Sequence, residues 1–159
     1  MYTKDIKTAP PFEGLFPLKD KLFEKIYWDI EKNGFDGNKP IEVWMRHDSV
    51  IVIDGHARLK AAIKAKLMNV PALLNEFSDE KAAIEHAVRC KKKRRNLSER
   101  EIIRCVEALD KSEGKLTEPT AQLLNVGWGK IDKARAVIKK APDKIKKAVK
   151  DGRMSIDSA

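Results

Sequence analysis

Cysteine is scarce in this chain: Cys90 and Cys105 are the two among 159 residues. Two thiols cannot build a secreted disulfide framework, and no further cysteine is there to complete a cysteine-rich zinc site. No apolar run reaches the roughly 18 residues that a spanning helix needs. The start, Met1-Tyr2-Thr3-Lys4-Asp5, has no apolar signal core. A reducing cytoplasm is the expected setting, and no membrane is expected as a partner. Internal repeats are missing, and the one biased stretch is Lys91-Lys92-Lys93-Arg94-Arg95. Carboxylates and histidines nowhere gather as a two-metal site requires; Asp54 and His56 are the one nearby pair.

What is present is apolar material for a core, 42% of residues, together with 33 Lys plus Arg against 24 Asp plus Glu, a formal charge of +9. The excess is unevenly placed. Residues 1–88 carry 13 basic and 14 acidic groups, and residues 89–159 carry 20 and 10. This asymmetry predicts a neutral domain followed by a basic one that faces a polyanion.

Residues 1–17, with Pro10, Pro11, Gly14 and Pro17, read as an irregular lead-in. Leu22, Phe23, Ile26, Tyr27 and Ile30 recur at helical spacing over 18–33, and Asn33-Gly34 supplies the stop. Strands are expected at 41–45, at the β-branched run 50–53 and at 70–74, with a tight turn at His47-Asp48-Ser49. An amphipathic helix follows over 56–67. Beyond Ser78 every element reads as helical: one starting at Ser78-Asp79-Glu80-Lys81, one opened by the capping box Ser98…Glu101 and closed by Gly114, a short one from Thr117-Glu118-Pro119, and two near 130–140 and 142–150.

The strongest local signal is Ile51-Val52-Ile53-Asp54-Gly55-His56-Ala57-Arg58, a strand passing through a glycine turn into a helix whose first turn carries an arginine. Backbone N–H groups at a helix start, beside a guanidinium, suit a phosphate or other oxyanion. The plainer reading makes Gly55 a simple turn and pairs Arg58 with a nearby carboxylate. His56 has no Ser, Cys or second His in a defined relation to it, so it reads as structural rather than as a general base.

Pro40-Ile41-Glu42-Val43, then Asp54-Gly55-His56-Ala57-Arg58-Leu59-Lys60-Ala61-Ala62, then Val70-Pro71, resembles in order and separation the N-terminal domain of the ParB partition-protein family. Arg94-Arg95-Asn96-Leu97-Ser98-Glu99 is similar to that family's junction into a helical domain, and Gly152-Arg153-Met154-Ser155-Ile156 with Ala159 to a later family pattern. The resemblance covers essentially the whole chain. Sulfiredoxin shares the implied fold but carries a cysteine in this turn; Gly55–Arg58 has none, so sulfur repair is not expected. Against the family's nucleotide-switch members, Gly55, Arg58 and Ala61 match one motif while Ala57 replaces its first arginine. Arg94 falls on the arginine of a second motif, and Cys90-Lys91 stand where its Glu-Asn would sit. The resemblance therefore implies a nucleotide (CTP-type, with Mg) or phosphate site at Gly55, His56, Ala57, Arg58, Arg94 and Arg95, without the carboxylate for efficient hydrolysis.

A second signal is Ala121-Gln122-Leu123-Leu124-Asn125-Val126-Gly127-Trp128-Gly129-Lys130-Ile131, a helix-turn-helix pattern. Small Ala121 suits a close helix crossing, and Asn125 tolerates the left-handed turn. The second helix offers Trp128, Lys130, Lys133 and Arg135 to DNA, and Lys91, Lys92 and Lys93 add phosphate contacts. The alternative for these cations is a solvated surface.

The expected fold is α+β: a ParB/sulfiredoxin-like domain over 12–77 and an all-helical helix-turn-helix domain over 78–159. The expected function is ParB-like binding of double-stranded DNA, regulated by a nucleotide, in partition or a related phage or mobile-element process. A ParB-like nuclease or nucleotide hydrolase is the alternative, with no catalytic or metal-binding residue assigned. The chain stops where the family continues into a dimerisation domain, which leaves a homodimer open.

Overall fold

A computed structural model describes residues 1–112, 114 and 118–159, so the helix start expected at Thr117 lies outside the described residues. The chain divides into two units, Met1–Phe77 and Ser78–Ala159.

In the first unit, β2 (Ile41–Arg46) and β3 (Ser49–Asp54) form an antiparallel hairpin with Val43 opposite Val52 and Trp44 opposite Ile51. His47 adopts the left-handed conformation (φ 52°) within the two-residue turn. Successive β3 side chains point to opposite faces, and Ile51, Val52 and Ile53 are all buried, which accounts for an unbroken apolar run. On one face α3 (His56–Lys64) lays Leu59 and Ala62 against Ile41, Val43 and Val52. Trp44 meets Phe12 and Phe77 edge-on, with ring centroids 6.3 and 5.8 Å apart.

The lead-in expected over 1–17 is corrected by the structure. Ile6–Lys7 forms β1, parallel to β3, and Phe12–Leu15 forms the one-turn helix α1. A two-residue strand is too short to show a period, and its partner lies more than forty positions away. Ile6, Phe12 and Leu15 are buried, so this segment belongs to the core. The strand expected from Val70 begins at Ala72: β4 (Ala72–Asn75) pairs parallel to β2, giving the sheet order β1-β3-β2-β4. Pro71 cannot donate to the ladder, but its carbonyl accepts from the Ile41 N–H at 2.9 Å. Helix α2 (Asp20–Asn33) ends as expected at Gly34, although only Ile30 of its apolar stripe is buried and Leu22 is turned outward.

Among the described residues the second unit has helices and no strand: α4 (Glu80–Lys92), α5 (Glu99–Lys111), α6 (Thr120–Leu124), α7 (Trp128–Lys140) and α8 (Asp143–Lys150). Asp79 caps α4, accepting from the Ala82 N–H at 2.8 Å. Both halves of the Ser98/Glu101 capping box form at the start of α5. The core gathers Ile84 and Val88 of α4, Ile103, Val106 and Leu109 of α5, Leu123 of α6, Ile131 and Ala134 of α7, and Val149 of α8. None of the helices is long and apolar enough to cross a membrane, among the described residues.

Candidate functional site

At the end of β3 the chain turns through Gly55 (φ 100°, ψ 21°) into α3, and no side chain caps this helix start. Two features favour glycine. The left-handed backbone disfavours a side chain, and a Cβ there would lie 3.0 Å from Arg58 Nη2. Arg58 lies folded against the turn rather than projecting from it. Its Nη2 donates to Asp54 Oδ2 at 3.0 Å, and its Nη1 donates to the carbonyls of Pro40, at 3.0 Å, and Lys39. The Arg58 and Asp54 side chains are only 17% and 9% exposed. The guanidinium thereby ties the segment before β2, the end of β3 and the first turn of α3 together. His56 and Ala57 flank it, half-buried.

In the second unit the cation run straddles the end of α4. Lys91 and Lys92 lie in its last turn, Lys93 follows as the cap residue, and Lys93, Arg94 and Arg95 are exposed. Lys92 and Arg95 have internal work. Lys92 Nζ donates to the Leu123 carbonyl at 2.6 Å, in the last turn of α6, where a cation complements the helix end. Arg95 grips Glu101 through two hydrogen bonds, at 2.9 and 2.6 Å. Burial pushes the Glu101 carboxyl up, but Arg95 and the Ser98 N–H and hydroxyl outweigh it and leave it below its ordinary range.

Helices α6 and α7 are joined by Asn125, Val126 and Gly127. Asn125 sits in the left-handed region (φ 56°, ψ 50°), and the Val126 N–H returns to the Ala121 carbonyl at 3.0 Å. Ile131, Ala134 and Val137 fix α7 to the core, leaving Trp128, Asp132, Lys133, Ala136, Lys139 and Lys140 exposed along it. Lys139 and Lys140 were missed by the sequence reading. Their position on the outward stripe, a helical turn and more beyond Lys133, is the signal that would have found them.

The four α7 side chains expected to face DNA fare differently. Trp128 is 61% exposed and Lys133 is likewise on the surface. Arg135 is held by Asp110 through two 3.0 Å hydrogen bonds. Lys130 lies between Glu99 and Asp157, and Lys133 bonds the same Asp157 at 2.7 Å. Lys133 and Lys130 together hold the Asp157 carboxyl down at about 2, and Lys130, with the Ile156 N–H, lowers that of Glu99. These acidic partners come from α5 and from beyond α8, so no local pattern could have revealed them.

No family model matches the chain, and no curated protein matches it by sequence. Its fold is similar to that of solved ParB structures. C-terminally truncated ParB from Caulobacter crescentus, complexed with CTP-gamma-S, gives a TM-score of 0.52 at 19% identity, over 96% of this chain and 83% of that one. The same protein complexed to the centromeric parS site gives 0.58 at 18%, over 98% and 79%. A Pnob8-like ParB-N domain gives 0.65 at 15% identity, over 99% of this chain and 75% of that one. At these identities the likeness is one of fold.

Proposed function

We propose that this chain is a ParB-like binder of double-stranded DNA, acting in partition or a related phage or mobile-element process, with α6, its turn and α7 as a helix-turn-helix. The observation that carries the reading is the left-handed turn at Asn125, from which α7 emerges with an outward face bearing Trp128, Lys133, Lys139 and Lys140. Such a helix enters the major groove through its first turns, while surrounding cations neutralise phosphates. The basic excess of residues 89–159 and the run Lys91–Arg95 supply that second term. The fold is also that of a protein captured on parS.

In the same proposal the β3–α3 turn takes a nucleotide or other phosphate and links it to DNA binding, as the likeness to a CTP-gamma-S complex supports. The first-turn N–H groups of α3 and the close backbone at Gly55 are the anion-binding elements. Arg58, being engaged with Asp54 and two carbonyls, holds that turn in shape. A nucleotide bound there would bring Mg with its phosphates.

Fluorescence anisotropy on a long duplex across a salt series tests the DNA reading. The logarithm of affinity falls with the logarithm of salt by about 0.9 for each phosphate contact. A flat titration would reduce the basic excess to a solubility feature.

A further inference from the structure

We propose that Asp157 is a built-in phosphate mimic: its carboxylate occupies Lys130 and Lys133, and DNA must displace it to use them. The inference rests on the reading of α7 as the DNA-facing helix. Each oxygen of Asp157 takes one lysine, Oδ2 with Lys130 at 2.9 Å and Oδ1 with Lys133 at 2.7 Å. A phosphate bridging two lysines one turn apart would use its oxygens in the same way.

The carboxylate is placed rather than dangling. Ile156 beside it is 2% exposed and donates its N–H to Glu99 Oε2 at 2.8 Å, while Glu99 also accepts from Lys130. On the other side Ser158 donates its N–H to Ser155 Oγ at 3.1 Å, closing a tight turn around Asp157. Yet the Lys133 pair stands in solvent, with the Asp157 side chain 52% and that of Lys133 61% exposed, whereas Lys130 is 22% exposed and shared with Glu99. Exposed pairs are weak and exchange readily, which suits a competitor and not a brace. The carboxyl, held near 2 by its two lysines, stays ionised at every pH at which duplex DNA is stable.

Displacement has a measurable signature. A lysine that meets DNA unencumbered releases about one counterion from the phosphates. A lysine taken from Asp157 leaves behind a carboxylate that gathers a cation and repels the neighbouring phosphate. Affinity is lower as a result, and the salt slope shallower.

The experiment measures duplex binding across salt for the whole chain, D157N, K133A and the double variant. D48N, in the β2–β3 turn of the other unit, controls for the bare change in charge. D157N is expected to bind about threefold to tenfold more tightly, the range that one exposed pair and one shared, partly buried pair allow. Its salt slope should steepen by about one unit. D48N should change little, and the gain from D157N should shrink when Lys133 is already alanine. If D157N behaves like D48N, or gains equally in the K133A background, the phosphate-mimic inference is overturned while the DNA reading stands. If no variant binds DNA with salt dependence, both fall.

Discussion

Arg58 in the first unit and Lys133 in the second each sit within 3.0 Å of a carboxylate, yet their side chains are 17% and 61% exposed. The guanidinium donates to three protein acceptors on two other segments, and the lysine to one. A cation enclosed in this way is architecture. Removing it takes the guanidinium partner from the Asp54 carboxylate, which is 9% exposed. A cation on the surface exchanges its partner at little cost, and a DNA phosphate is such a partner. The same residue chemistry therefore shapes a turn in one unit and stays open to exchange in the other, as the proposed DNA contact requires, and burial decides which.

The hardest test of that contrast is Arg58→Ala. Breaking an enclosed pair by removing one partner costs about 3–5 kcal/mol, so the first unit should unfold at markedly lower urea, followed by circular dichroism. Arg58→Lys should rescue only part of the loss, because an ammonium cannot span three acceptors with a planar fork. Lys133→Ala should change stability by less than about 1 kcal/mol, as exposed pairs do, while weakening DNA binding. An unchanged midpoint in Arg58→Ala would erase the distinction and return its guanidinium to the pool of anion ligands.

Glu101 sharpens the contrast from within the basic unit, because there it is the carboxylate that is enclosed. It is fully buried, closes the capping box with Ser98 and is gripped by Arg95. Glu101→Gln should cost about 2 kcal/mol through loss of the charged cap and the paired guanidinium. The pH dependence has a definite sign. A carboxyl held below its unfolded value binds fewer protons in the folded chain, so its contribution is complete above the unfolded pKa of about 4.3. That contribution is lost as pH falls through the lower folded value. Acid titration of stability should therefore show a limb below about pH 4 that is reduced in Glu101→Gln. Identical limbs in the two proteins would assign acid sensitivity elsewhere.

Which parts of this architecture were legible followed from how local their cause is. The β2–β3 hairpin announces itself in two β-branched runs around a two-residue turn, and α5 in a capping box followed by Ile102, Ile103, Val106 and Leu109, all buried. Asn125 could be assigned its left-handed turn because few residues tolerate one. β1 was hidden because its reason to exist, the edge of β3, lies far along the chain. The site residues split along the same line. Gly55 and the Asp54–Arg58 pair are four positions apart and could be paired in advance, whereas Lys130, Lys133 and Arg135 find Glu99, Asp157 and Asp110 only after α5, α7 and α8 have packed.

The smallest expected effect is the most discriminating, because stability and binding should move in opposite directions. Gly129 stands in the first turn of α7, exposed, with nothing within 4 Å of where a Cβ would be. Its backbone does not need glycine's freedom, and inside the chain nothing needs its lack of a side chain. Gly129→Ala should therefore stabilise the protein by about 0.5–1 kcal/mol, the usual gain from restricting an exposed helical glycine. In the complex the first turn of a recognition helix is the part that lies nearest the DNA, and there a methyl group meets bases or phosphates that a glycine lets approach. Affinity for duplex should fall even as the melting temperature rises. If both rise together, or affinity stays the same, the start of α7 does not lie against DNA. The reading surface would then shift toward Lys139 and Lys140 at the far end of the helix.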